Sequence, residues 1–168
     1  MDIRRVRESD WERFRSVRLE ALRVDPLAFG STLDRELAYT EAKWTDWVMR
    51  ASTGDSAATF IAETPDGRIV GLTGVFSEPD EFHLWGMWVE PNHRRAGIGR
   101  GLLNAALVWA RTTDPRREVV LSVNPAQTEA VGLYRSVGFL PTGRSEPLGH
   151  HPPAVAQEMR RSRGGASP

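Results

Sequence analysis

Residues 88–103, WVEPNHRRAGIGRGLL, join a strand to a helix through a turn carrying two arginines and three glycines at alternate positions. The apolar run ending at Val89 reads as a strand, and the pattern starting at Ile98 reads as a helix. Gly97, Gly99 and Gly101 stand at that helix start, although a glycine inside a helix costs roughly 1 kcal/mol relative to alanine. A compensating reason lies in the backbone. A helix start presents several N–H groups without partners and a partial positive charge, and bare glycines let an anion approach them closely. Arg94, Arg95 and Arg100 add full positive charge beside the turn. The stretch therefore describes a phosphate or pyrophosphate cradle. Two familiar cradles are excluded. Leu102 stands where G-x-G-x-x-G needs its third glycine, and no Gly-Lys-Ser/Thr occurs anywhere.

The rest of the chain supplies the layers around this turn. Ile3 and Val6 alternate with charges as in a short edge strand. Ser9 or Asp10 reads as a cap for a helix carrying Trp11, Phe14, Val17, Ala21 and Leu22, which stops before Pro26. Residues 24–40 read as loop, and a second helix runs from about Glu41 to Met49. SAATFIAET and RIVGLTGVFS, separated by PDG, read as a hairpin, and EFHLWGMWVE as a third strand. After the glycine turn come a helix from about Ile98 to Arg111, the strand REVVLSVN, a helix over 126–137, and two short strands, GFLPTGR and AVAQEMR. The order β-α-α-β-β-β-α-β-α-β-β predicts an α/β fold around one mixed sheet. One domain over 1–160 is expected, with a disordered tail over 161–168.

Composition narrows the function. The 168 residues carry 22 Lys+Arg and 22 Asp+Glu, a formal net charge of zero that argues against a dedicated nucleic-acid binder. There is no cysteine, hence no disulfide frame and no thiol nucleophile. No apolar run approaches the roughly 20 residues of a membrane span, and the charged N-terminus does not read as a signal peptide. These features lead us to expect a cytoplasmic protein that binds no membrane. His150 and His151 are adjacent and have no carboxylate at ligand spacing, so no metal site is expected.

VEPNHRRAGIGRGLL resembles the acyl-CoA-binding signature of the GNAT superfamily of N-acetyltransferases, Arg/Gln-x-x-Gly-x-Gly/Ala, here Arg94, Gly97 and Gly99. LSVNPAQTEAVGLYRSVGF resembles the second block of that family, with Asn124, Leu133, Tyr134, Gly138 and Phe139. Together the blocks cover residues 82–140, and DPLAFGST resembles an acceptor-side segment of a subset of these enzymes. The resemblance implies a single-domain, mostly antiparallel mixed sheet with two splayed central parallel strands flanked by helices. It implies acetyl-CoA as co-substrate. The pantetheine arm would lie along Met87, Trp88 and Val89, pairing with the backbone of Met87 and Val89, and would bond Asn124. The pyrophosphate would sit on the turn formed by Arg94, Arg95, Ala96, Gly97, Ile98, Gly99 and Arg100.

The implied chemistry is direct aminolysis of a thioester in a ternary complex, without an acyl-enzyme. Tyr134 matches the family's general acid at the sulfur. The base stays open: His83, a residue type that titrates near neutrality, Glu81 and Glu78 lie on or before the splayed strand, Glu36 and Glu41 near the acceptor loop, and a water chain would also serve. A small-molecule amine is the expected acceptor. A peptide N-terminus or lysine, or a domain that binds acyl-CoA without turnover, are the alternatives. The apolar last strands lead us to expect a homodimer.

Overall fold

The computed structural model describes residues 1–162. Seven strands form one sheet in the order β1-β2-β3-β4-β5-β7-β6: β1 (Asp2–Arg5), β2 (Ala57–Glu63), β3 (Ile69–Ser77), β4 (Glu81–Val89), β5 (Glu118–Val123), β6 (Leu140–Pro147) and β7 (Val155–Arg161). Among the described residues only β4 and β5 pair in parallel. Among the described residues the helices are α1 (Trp11–Val24), α2 (Leu33–Leu37), α3 (Glu41–Ser52), α4 (Ile98–Thr113) and α5 (Thr128–Arg135). The mixed α/β sheet follows the expected order with one addition. Residues 24–40, expected as loop, contain α2, whose first turn is capped by Thr32 Oγ1 accepting from the Arg35 amide at 3.3 Å.

Helices cover both faces of the sheet, so β3 is buried from Ile69 to Val75 and reads as a continuous apolar run rather than an alternation. On one face α4 brings Ile98, Leu102, Leu103, Ala106 and Ala110, and α5 brings Val131 and Tyr134, against Phe82, Leu84, Val119, Leu121 and Val123. Each fully buried leucine there contributes roughly 1.5–3 kcal/mol. On the other face α1 and α3 pack Phe14, Leu22, Trp44 and Val48 on Ile61, Leu72 and Trp88. The Trp44 and Trp47 rings stack at 5.4 Å, one helical turn apart on α3.

Asp10 does not cap α1 with its side chain. It is buried, and its carboxylate accepts from Arg4 Nη1 at 2.7 Å, from the Arg7 amide at 2.8 Å and from Arg13. Arg4 also reaches Glu63 at 2.8 Å, so this cluster ties β1 to α1 and β2. β7 takes in Arg161, the first residue assigned to the tail; residues 163–168 of that expected tail lie outside the described residues.

Candidate active site

The parallel pairing of β4 with β5 runs only from Glu81↔Glu118 to Leu84↔Leu121. Beyond it, Trp85–Val89 keep their bonds to β3 but present a free edge toward Ser122 and Val123. A bulge accompanies the split. Leu72 faces Trp88 and Gly74 faces Trp85, so β4 spends one residue more than β3 over this step. Gly86 lies inside the bulge at φ +67°, a left-handed conformation that favours glycine. Past the bulge the Glu90 amide donates to Val70 on the β3 side, so alternation turns the backbone of Met87 and Val89 toward the gap.

The glycine turn closes one end of that gap. Arg95 (φ 64°) and Gly97 (φ 78°) are left-handed, and Gly97 caps α4. The first backbone bond across the start of α4 is Gly101 N–H to Gly97 O at 3.0 Å, which leaves the amides of Ile98, Gly99 and Arg100 outside the helical ladder. The three glycines have three separate reasons. Gly97 supplies the left-handed cap, and a side chain on Gly99 would come within 3.3 Å of Leu133 and crowd the turn. Gly101 makes room for Ile3, which is a packing role and not part of the cradle.

The arginines are already engaged. Arg94 donates from Nε to the Val89 carbonyl at 2.8 Å and from Nη2 to Asp25 at 2.6 Å. Arg95 pairs with Glu129 at 2.5 Å and Arg100 with Ser136 at 2.9 Å. Asp25 and Glu129 thus offset the charges of Arg94 and Arg95 at the turn, and the Val89 carbonyl, expected to be free for a ligand, has a donor in place. Trp88 is buried, and its indole N–H donates to Asp25 at 2.7 Å, so it joins the segment after α1 to the turn. Ala96 lies exposed in the turn. Asn124 is buried at the end of β5, and its side-chain oxygen accepts from the Ala126 amide at 3.0 Å, leaving its NH₂ group for another partner.

Tyr134 packs edge-on to Phe139 at 5.9 Å within the cluster that includes Val123. Burial pushes its phenol well above the usual range, so the O–H keeps its proton near neutrality. His83 lies on the opposite face, in the still-paired part of β4 opposite Val120, about 7 Å along the strand from Trp85. Its ring stacks on Phe76 at 5.1 Å, and Nε2 lies 3.0 Å from Glu81. Glu81 in turn meets Arg160 at 2.8 Å. Beside His83, Phe76 joins Trp47, Ala51, Ala57, Thr59 and Trp85 in lining an apolar pocket of about 250 Å³.

Three contributors escaped the sequence reading. Gly86 was signalled only by a glycine inside a strand pattern. Asp25 opens the DPLAFGST segment, but nothing in the sequence pointed to its pairing with Trp88 and Arg94. Arg18 sits on the apolar stripe of α1, a charge at core spacing, and is buried as a bidentate pair with Glu36 at 2.9 and 2.7 Å. That pairing commits both oxygens of Glu36, which sequence had raised as a possible base. Among the described residues no cluster of three or more His, Asp or Glu is placed to hold a metal ion, and no helix is long and apolar enough to cross a membrane.

A split central sheet over a glycine-capped helix start defines a class of α/β fold, and the comparisons give its family. Residues 6–139 match the acetyltransferase (GNAT) family, and the chain belongs to it. Human N-acetyltransferase 8 is 33% identical over 92 residues, 51% of this chain and 40% of that protein. N-alpha-acetyltransferase RimI of Mycobacterium tuberculosis is 28% identical over 139 residues, 80% of this chain and 85% of that protein. The chain spans only 40%, 51% and 40% of N-acetyltransferase 8, human N-acetyltransferase 8B and the peptidyl-lysine N-acetyltransferase YjaB of Escherichia coli. A GNAT-family acetyltransferase from Streptococcus pneumoniae superposes with a TM-score of 0.79 at 21% identity, covering 95% of this chain and 98% of that one. The yncA structure from Salmonella typhimurium, solved with its cofactor acetyl-CoA, also superposes at 0.79, at 17% identity over 100% and 96% of the two chains. These structural likenesses establish the fold.

Proposed function

We propose that this chain transfers an acetyl group from acetyl-CoA to the primary amine of a small molecule, by direct attack in a ternary complex. The observation that carries this reading is the free edge of Trp85–Val89 opening onto the uncapped amides of α4. An extended chain ending in phosphates needs just such a surface: strand-like pairing along its length and N–H donors at its anionic end. The amides of Ile98, Gly99 and Arg100 would hold the pyrophosphate, with Arg94, Arg95 and Arg100 exchanging their present partners toward it. The NH₂ group of Asn124 and the backbone of Met87 would hold the arm.

The bound thioester supplies an electrophilic carbonyl and a thiol leaving group. The Met87 amide would donate to the carbonyl oxygen as charge builds there. As the amine nitrogen bonds to the carbonyl carbon, His83, oriented by Glu81, takes the amine proton directly or through water. The carbon–sulfur bond breaks, and the Tyr134 O–H gives its proton to the sulfur. Relatives named as peptidyl-lysine and N-alpha-acetyltransferases favour a peptide amine as the second reading.

Thiol release measured with acetyl-CoA across a panel of small amines and peptides tests the reaction. Calorimetric CoA binding to the Gly99→Glu variant tests the site. A carboxylate placed at the cradle is expected to weaken CoA at least tenfold, about 1.4 kcal/mol. Unchanged affinity in the folded variant rejects the cradle.

A further inference from the structure

Arg18 is 4% exposed, and Glu36 occupies its Nε and Nη2. Its Nη1 is buried and bonds nothing among the described residues. A buried guanidinium N–H without an acceptor is unfavourable, so its retention needs a reason. The position offers one. A Cβ built on Gly86 would stand 3.4 Å from Nη1, which places this nitrogen against the bulge where β4 leaves β5, one residue before Met87. A larger residue at 86 would crowd this approach. Trp47 and Trp85 pack on the same guanidinium, at 5.9 and 5.5 Å from Cζ, and also wall the apolar pocket beside His83. Phe29, buried, lies nearer still, at 4.6 Å, whereas Trp85 is only half-buried.

Resting on the acetyl-transfer reading above, we infer that Arg18 is a specificity-determining residue whose Nη1 donates to an uncharged oxygen of the acceptor, held one or two carbons from the attacking amine. The chemical class is an amino amide with an apolar side group: the carbonyl meets Arg18, and the side group fills the pocket between Trp47, Phe76 and Trp85. Charge selects the neutral oxygen. Arg18 and Glu36 already balance, so a carboxylate would leave a net negative charge in a buried site. A plain alkylamine would leave Nη1 bare, and sites built to bind an oxygen discriminate strongly against analogues that lack it.

The test compares three probes with one side chain: leucinamide, leucine and 3-methylbutylamine. In the wild-type protein kcat/KM, expressed per neutral amine, is expected to be at least tenfold higher for leucinamide than for either of the others. In Arg18→Lys, which keeps a charge for Glu36 but has no separate nitrogen at the Nη1 position, the ratio of leucinamide to 3-methylbutylamine is expected to fall at least fivefold, mainly through KM. Taking this ratio between proteins cancels the differing basicity of the amines. No discrimination by the wild type, or an Arg18→Lys variant that loses both substrates by one factor, overturns the assignment. If Arg18→Lys does not fold, the wild-type series decides alone. Calorimetry of leucinamide and 3-methylbutylamine on the CoA-loaded protein separates the two claims. Preferential leucinamide binding without thiol release retains Arg18 as the oxygen donor and rejects acetyl transfer; equal binding rejects the Arg18 role.

Discussion

The indole of Trp85 occupies the space that a side chain on Gly74 would need. The two residues face each other across β3 and β4, and three ring atoms of Trp85 stand within clashing distance of a Cβ at Gly74. A rigid ring cannot yield as a flexible side chain does. Gly74→Ala should therefore push Trp85 off the sheet and destabilise the fold by about 1–3 kcal/mol. Thermal unfolding should move down by roughly 3–10 °C. Trp85 walls the pocket proposed above for the acceptor's side group, so KM for the amine should rise while CoA affinity holds. An unshifted Tm with normal amine kinetics contradicts this contact.

Tyr134 separates an enzyme from a binding domain. Tyr134→Phe removes one hydroxyl and almost no volume, so fold and CoA affinity should hold. Turnover should fall by roughly 10²–10⁴-fold, in kcat and kcat/KM alike. The loss should shrink with an acyl donor whose thiol is more acidic. Near-normal kcat on the true acceptor would show that another group protonates the sulfur.

Gly101 and Ile3 should behave as a coupled pair. Alanine at 101 gains helix propensity of about 1 kcal/mol but meets Ile3 Cδ1. Ile3→Val removes that atom. The double variant should be more stable than the two single changes add up to, by about 0.5–1 kcal/mol in urea unfolding. Simple additivity would mean that Ile3 moves aside freely.

Acid should weaken the tie between β1 and α1. Burial opposes ionisation of Asp10, but hydrogen bonds from Arg4, the Arg7 amide and Arg13 outweigh it and hold the carboxyl well below its ordinary value of 3.8. A depressed folded-state pKa contributes stability that is complete above the unfolded value and is lost as pH falls toward the folded one. Asp10→Asn should thus lose about 2–4 kcal/mol at pH 7, and the gap to wild type should narrow below about pH 4. A gap independent of pH would assign the effect to packing.

β6 is exposed along its whole length and carries Leu140, 68% exposed, at its start. We propose that two copies pair through this strand, which would remove an open sheet edge. Light scattering at micromolar concentration should give the mass of a dimer, and the mass of a monomer overturns the pairing.

The sequence by itself determined the seven strands, the four longer helices among the described residues and their order, because each is encoded locally. The PDG turn between two apolar runs marks the β2–β3 hairpin, alternation marks β5, the stripe from Ile98 to Ala110 marks α4, and Pro26 ends α1. The candidate cradle was legible for the same reason: a helix start, its glycines and its arginines lie within seven consecutive residues. Tyr134 and Asn124 became candidates through family resemblance, since nothing in their local spacing distinguishes a proton donor from a core aromatic or a ligand from a turn cap.

Tertiary structure decided what depends on residues far apart in the chain. Whether Arg94 is free or held by Asp25 is a matter of 69 positions of separation. Whether Arg18 is a surface charge or a buried one depends on Glu36, on α2 emerging from an apparent loop, and on three aromatic rings from other segments. The split of β4 from β5 arises from a register step between strands, which no single strand encodes. Hydrogen-bond partners and desolvation are properties of assembled surfaces, and a local pattern specifies only the pieces that assemble.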